Sequence, residues 1–353
     1  MITFIPLGGF LGAGKTTTMI AAAAAIEATG RKVSVITNDQ GVDLVDTKLA
    51  RSALGDVSEV TGGCFCCRFE DLAAIVVKLV DDGADTIIAE AVGSCTDLQS
   101  TVVRPLEHHY GRALTVAPLT TVVDPFRLRA FTRSAHESDL SYLFKRQLEE
   151  ADVIALNKVD MIRDADAVRG DLAERYPKAE VVAYSAATGE NLTGLVAAWT
   201  EKAGNRDHRM RVDYDRYAAA EAELAWLNQE VELTGDGFDP DEWGAAVLRE
   251  LSRWAAGRQI VIGHAKLTVE SGDRMAKLSL TQAGAEPTTD TRVGTPIERA
   301  RVIVNARVAC PPEEMDAALE AAIRTADTAA RTRSAAQAAT SFQPGYPQPV
   351  YRM

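Results

Sequence analysis

The sequence predicts an α/β protein: a mostly parallel sheet covered by helices over residues 1–204, followed by a smaller α+β domain. Three observations carry this expectation. Short apolar runs alternate with helix-like segments through the first two hundred residues; the run 2–7 passes through a glycine-rich stretch into an alanine-rich helix; and 205–217 is polar, charged and aperiodic, as interdomain connections are. At 353 residues the chain can bury two cores.

Taken in order, strands are expected at 2–7, 33–37, 86–90, 119–124, 152–156 and 180–184, and helices at 15–28, 69–82, 140–150, 165–176 and 191–202. Ligands of such sheets lie at the carboxyl ends of the strands. Gly9, Asn38, Asp39, Glu90, Asp124, Asn157 and Ser185 all fall there. Past the linker, 218–330 reads as the second domain. Trp243, Val247, Leu251 and Trp254 mark a helix over 239–257, and alternating runs at 259–270, 275–281 and 300–309 mark antiparallel strands before a closing helix at 312–330. In 218–233 alanine and glutamate favour a helix, whereas Leu224, Trp226, Val231 and Leu233 suit a strand, which is favoured in the second half. Residues 331–353 lack a sustained apolar period and are expected to be a disordered tail; aromatics between prolines at 342–349 leave open a strap that docks on a partner or on the chain itself.

A formal net charge of −12 argues against a nucleic-acid-binding face, which needs clustered cations. No apolar run approaches the ~20 residues of a membrane span, and the chain enters its first strand without a basic leader, so a cytoplasmic location is expected.

The stretch 9–16, G-F-L-G-A-G-K-T, has the form of a phosphate-binding loop: glycines let backbone N–H groups turn toward phosphate oxygens, and the next helix aims its positive end at them. Gly12, Ala13, Gly14, Lys15, Thr16 and Thr17 form the expected cradle, with Lys15 on the β- and γ-phosphates and Thr16 on Mg²⁺. The base is read at 157–160, N-K-V-D. Asp160 can accept from guanine N1–H and its exocyclic amine, a pair of donors adenine lacks. Lys158 would lie along the ring, Asn157 would tie loops together, and Ser185-Ala186 would offer a backbone N–H to the guanine carbonyl. Glu90, in E-A-V-G at 90–93, supplies a carboxylate to the magnesium shell, and Gly93 an N–H to the γ-phosphate. Asp39 is the first candidate for a switch carboxylate and Asp46 the reserve.

Cys64, Cys66 and Cys67 follow two glycines and sit too close together for a disulfide framework. Three thiols in four residues suit one soft or borderline cation such as Zn²⁺, Co²⁺ or Cu⁺. A fourth donor is needed: Cys95, water, or a residue of another subunit. His108 and His109 point about 100° apart on a helix and are read as surface residues, and His264 as structural.

In order along the chain, the loop at 9–17, the cysteine triplet, E-x-x-G at 90–93 and N-K-x-D at 157–160 resemble the metallochaperone GTPases of the CobW, UreG and HypB type, most of all the CobW-like branch. The switch stretch here is N-D-Q-G at 38–41 instead of N-E-F-G. The resemblance implies GTP hydrolysis to GDP coupled to delivery of a transition metal, Zn²⁺ or Co²⁺, or of a metal cofactor such as cobalamin. The expected partners are a client metalloprotein or cobalamin-dependent enzyme, and a second copy of the chain in a nucleotide-dependent dimer. The alternative is a nucleotide-regulated protein that stores or senses metal without delivering it.

Overall fold

The computed structural model describes residues 2–38, 45–54, 57–132, 137–202, 204 and 209–353, without the side chains of 46–49 and 52. The chain divides into two compact units, the first reaching Ala220 and also including Tyr346–Met353, the second built on Glu221–Gly345.

Eight parallel strands form the sheet of the first unit: β1 (Ile2–Gly8), β2 (Val33–Asn38), β3 (Val57–Val60), β4 (Thr86–Glu90), β5 (Leu114–Val116), β6 (Thr120–Val123), β7 (Val153–Leu156) and β8 (Glu180–Ala183). They run in the order β3-β2-β4-β1-β6-β7-β8, with β5 paired to β1 outside that path. β1, β4, β6 and β7 are near-continuous apolar or threonine runs, as strands covered on both faces are. Leu7 of β1 lies beside Glu90 of β4, so the loop after β1 and the acid ending β4 emerge side by side. This is where the order reverses: the chain leaves β1 for β2 and β3 on one side and later fills the other with β6 to β8.

Short elements that the sequence reading passed over are β3, β5 and the helices Val45–Leu54, Arg104–Tyr110 and Pro125–Thr132. Helix Lys15–Glu27 packs Met19, Ala22, Ala23 and Ile26 into the core with Ile5, Leu7, Val35 and Ile88.

The second unit is a six-stranded antiparallel sheet in the order β12-β11-β10-β13-β9-β14, from β9 (Ala225–Phe238), β10 (Ile262–Ser271), β11 (Arg274–Leu280), β12 (Thr288–Thr291), β13 (Ile297–Val308) and β14 (Thr332–Phe342). Helices Pro240–Gly257 and Pro312–Ala330 bury Trp243, Leu251, Met315 and Leu319 with Leu267, Leu278 and Val304 of the sheet. The ambiguous 218–233 splits into the end of helix Tyr214–Ala222 and the start of β9. His264 is buried on β10.

The expected disordered tail is a correction. Thr332–Phe342 is an edge strand on β9, with Ser334 opposite Leu233 and Phe342 opposite Trp226, and residues beyond it make side-chain and backbone contacts within the first unit. Its many small polar residues carry no apolar period because its side chains are mostly exposed; the backbone ladder to β9 holds it. Among the described residues, no helix is long and apolar enough to cross a membrane.

Candidate functional site

Gly12 and Gly14 hold the loop after β1 at positive φ (77° and 95°), and Gly14 precedes helix Lys15–Glu27, whose first N–H groups have no side-chain cap. An open helix start behind a glycine loop is a ready anion site. Lys15 is buried, and its Nζ donates to the Gly9 carbonyl at 2.9 Å, curled over the loop. Thr16 Oγ1 donates to Glu90 Oε1 at 3.0 Å, and both residues are buried. A hydroxyl and a carboxylate facing one another beside a phosphate loop are the donors a magnesium shell takes up, so the residues fit that ion. Ala13 is buried and Thr17 exposed at the helix start.

Asn157 joins three loops. Its Nδ2 donates to the Ala13 carbonyl at 3.0 Å, and its Oδ1 accepts from Ala186 N at 3.0 Å. Lys158 takes the left-handed conformation (φ 61°), donates to the Gly12 carbonyl at 2.9 Å and pairs with Asp124. Asp160 stands exposed on the 3₁₀ turn Val159–Met161, while Ser185 is buried and accepts from Thr188 N. In sequence Asp124 is only a strand-end acid. It both caps helix Pro125–Thr132, through Phe126 N and Arg127 N, and fixes Lys158.

The second cluster is sulfur. Sγ atoms of Cys64, Cys66 and Cys67 lie within 4.8 Å of one another, at 2.8 Å (64 to 66), 3.3 Å (64 to 67) and 3.8 Å (66 to 67). A tetrahedral Zn²⁺ with Zn–S near 2.3 Å sets its sulfurs about 3.8 Å apart, so the triplet needs only to open by about 1 Å at Cys64 and Cys66 to take one. Cys64 and Cys66 are buried and Cys67 half-exposed; all are free thiols. Cys95, fully buried, joins them as a side-chain hydrogen-bond partner of both Cys64 and Cys66. Hydrogen bonds from Cys66, Cys67 and Cys95 hold the Cys64 thiol well below the usual thiol range, whereas the bond to Cys64 pushes Cys66 up and Cys67 up to about 11. Neighbours that favour ionisation of Cys64 ease the loss of the proton that a metal-binding thiol must give up.

The sulfur cluster is held from the end of β2 and from the segment that follows β4. Asn38, last in β2, donates through Nδ2 to the carbonyls of Val60 (3.0 Å) and Gly63 (2.8 Å) and accepts from Phe65 N (2.9 Å), so it pins the cysteine loop. Sequence reading missed this role. Gly93 lies against Leu11 of the phosphate loop, where a Cβ would meet Leu11 Cδ2 at 2.6 Å, and Gln147 Nε2 bonds the carbonyls of both Gly93 and Cys95. Asp39 lies outside the described residues. Asp46 falls in helix Val45–Leu54, its side chain likewise outside them. His108 and His109 are exposed.

A glycine loop between β1 and its helix, an acid at the end of β4 and an N-K-x-D turn after β7 define a phosphate-loop nucleotide-binding domain. A family model described as the CobW/HypB/UreG nucleotide-binding domain matches residues 3–183, and the chain belongs to that family. It is similar to a zinc chaperone CobW of Pseudomonas aeruginosa, 33% identical over 214 residues that cover 52% of this chain and 56% of the relative. A zinc chaperone CobW of Sinorhizobium sp is 32% identical over 196 residues, 47% of this chain and 54% of the relative. The chain thus spans little more than half the length of these relatives. The crystal structure of Zn(II)-bound YjiA GTPase from E. coli aligns over 94% of this chain and 99% of its own at 17% identity, with a TM-score of 0.37.

Proposed function

We propose that this protein is a GTPase that handles a transition metal, foremost Zn²⁺, through its cysteine cluster and hands it to a client metalloprotein according to nucleotide state. The observation that carries this reading is the double attachment of the thiol cluster, by Asn38 at the end of β2 and by the segment from Glu90 to Cys95, to the elements around the phosphate loop. Similarity to proteins described as zinc chaperones supports the choice of metal.

In this reading Lys15 would leave the Gly9 carbonyl for the β- and γ-phosphates, and Thr16 with Glu90 would hold Mg²⁺, whose charge would offset that of the phosphates. Asp160 selects guanine. Cys64, Cys66, Cys67 and Cys95 ligate the metal as thiolates, and its arrival releases their protons. Asp39 is proposed to position the attacking water or the magnesium shell.

The burial of Cys64, Cys66 and Cys95 favours a second reading, storage or sensing, since four protein thiolates make a closed site of the structural kind. Metal affinity in the two nucleotide states separates them. A ligand shifts a conformational equilibrium only by its differential affinity, and linkage makes the effect reciprocal. Delivery predicts Co²⁺ affinity, followed by its thiolate charge-transfer band, that differs roughly 5- to 150-fold between a nonhydrolysable GTP analogue with Mg²⁺ and GDP. Equal affinities would leave storage or sensing, and absence of GTP turnover in the wild type would remove the hydrolase reading.

A further inference from the structure

Beyond the edge strand β14 the chain returns to the first unit, and residues 346–353 lie across the sulfur cluster. Gln348 N donates to Cys67 Sγ at 3.3 Å, and Val350 N donates to the Cys66 carbonyl at 2.9 Å. Tyr351 packs edge-on against Phe69 with ring centroids 5.0 Å apart, and its hydroxyl donates to Glu70 Oε1 at 3.0 Å. These contacts all fall on 66–70, the half of the cluster that carries the C-x-C-C.

The next two residues grip the other half. Arg352 Nε pairs with Asp97 Oδ2 at 3.1 Å; the Asp97 side chain is 2% exposed and also accepts from the Tyr214 hydroxyl, over whose ring the Arg352 guanidinium lies at 4.7 Å. Met353 N donates to the Ser100 carbonyl at 2.9 Å, while Arg104 donates to the Met353 carbonyl at 2.6 Å. Asp97 is two residues from Cys95. A single extended segment therefore bonds to Cys66 and Cys67 at one end and to the turn that carries Cys95 at the other.

We infer that residues 346–353 are a strap that holds the Cys95 turn against the C-x-C-C loop and closes the thiol cluster, so that metal enters and leaves when the strap lifts. The contacts have the chemistry for both tasks. An N–H donated to a cysteine sulfur stabilises thiolate and metal-bound thiolate alike, the outer contact that tunes a metal site. Arg352 supplies the cation that pairs the buried Asp97 carboxylate, and its loss leaves an uncompensated buried charge two residues from Cys95. The strap is also built to release, because Tyr351 and Arg352 are partly exposed and the segment has no ladder of its own. This inference rests on the metal-thiolate reading above for its cargo, but the closure itself is a property of the metal-free chain.

The test uses the full chain, a variant ending at Gly345, and the point variants Arg352→Ala and Tyr351→Ala. Mass spectrometry follows the alkylation rates of Cys64, Cys66 and Cys95 in metal-free protein, and a chromophoric chelator follows release of stoichiometric Zn²⁺. GTP-analogue binding serves as the folding control, and the point variants decide the matter where the shortened chain does not fold. We expect alkylation of the buried thiols and Zn²⁺ release to accelerate at least tenfold without the strap and severalfold in Arg352→Ala. Unchanged alkylation rates in variants that still bind nucleotide overturn the strap. A wild-type chain that takes up no Zn²⁺ overturns the metal reading instead, and alkylation still decides whether the segment closes the cluster.

Discussion

The side-chain amide of Asn157 stands directly in front of Gly14, so close that a Cβ on Gly14 would lie 2.4 Å from Asn157 Nδ2. The residue that binds the base-reading turn to the phosphate loop also excludes every side chain from that loop position. Gly14→Ala meets this clash and must hold φ near 95°, which costs an L-residue about 1–2 kcal/mol. We expect nucleotide affinity to fall by more than tenfold. Adding Asn157→Ala removes the clash and leaves the backbone strain, so affinity should stay below that of the Asn157→Ala single variant; isothermal titration with GDP measures each corner of the cycle.

Asp160 owes its presentation to Lys158, whose left-handed backbone starts the 3₁₀ turn while its ammonium is held by Asp124 and the Gly12 carbonyl. Replacing Asp160 with Asn exchanges an acceptor for a mixed donor and acceptor. Xanthine nucleotides should then gain on guanine nucleotides in competition binding. An unchanged GTP to XTP preference would remove this turn from the base site.

Asn38 makes three hydrogen bonds, one to Val60 at the end of β3 and two to Gly63 and Phe65 of the cysteine loop. Asn38→Ala strands two carbonyls and one N–H, at about 1–3 kcal/mol for each buried group left unsatisfied. We expect Zn²⁺ affinity to drop roughly 10- to 100-fold, the usual effect of losing an outer support. Asn38→Asp keeps the acceptor for Phe65 N but sets a buried carboxylate oxygen against the Val60 and Gly63 carbonyls, so it should lose at least as much. Competition with a chelator of known affinity gives the ratio, and equal affinities in all three proteins would contradict the role.

Glu150 follows helix Asp139–Glu149 and is buried, accepting from Thr96 Oγ1 at 3.0 Å and Gln99 N at 3.3 Å. Burial, and next the charge of Asp97, push its carboxyl up to about 8. Because the folded value lies above the unfolded one, near 4.3, the folded state holds the extra proton between them. The stability this contributes is full below pH ~4.3 and is lost as pH rises to about 8, a change on the order of a few kcal/mol. Urea unfolding of Glu150→Gln should show that slope flattened between pH 5 and 8. A variant that tracks the wild type across the range would mean the carboxylate ionises without penalty.

Much of the first unit could be read from the chain because its signals are local. The run 9–16 carries glycines at fixed offsets, and β4 and β7 hold uninterrupted apolar runs, I-I-A and V-I-A-L. By contrast β3 (V-S-E-V) and β5 (L-T-V) break their few apolar residues with polar ones and show no run. Helix Pro125–Thr132 begins at the cap Asp124, which in sequence is merely a strand-end acid. The role of Asn38 depends on loops that approach it only in the folded sheet, and its neighbour Asp39 lies outside the described residues. β14 escaped notice for a different reason: T-R-S-A-A-Q-A-A-T-S-F has little strand propensity, and pairing with β9 decides its conformation. For 346–353 the aromatics between prolines hint in sequence at docking on the chain itself, but the partners that fix where it lies, among them Cys66, Glu70 and Asp97, come near only in the folded chain.

The order of strands in the parallel sheet has a consequence for how the protein is made. β1 leaves the ribosome first, yet its neighbours β4 and β6 begin at residues 86 and 120, so the phosphate loop cannot settle until both long crossovers exist. Cys64, Cys66 and Cys67 emerge before either neighbour, before Cys95, and long before residues 346–353. At ~5–20 residues per second, synthesis leaves the triplet without its covering segment for on the order of tens of seconds. During that interval three neighbouring thiols on a nascent chain stand open to oxidants, without the segment that bonds to Cys66 and Cys67 in the folded chain.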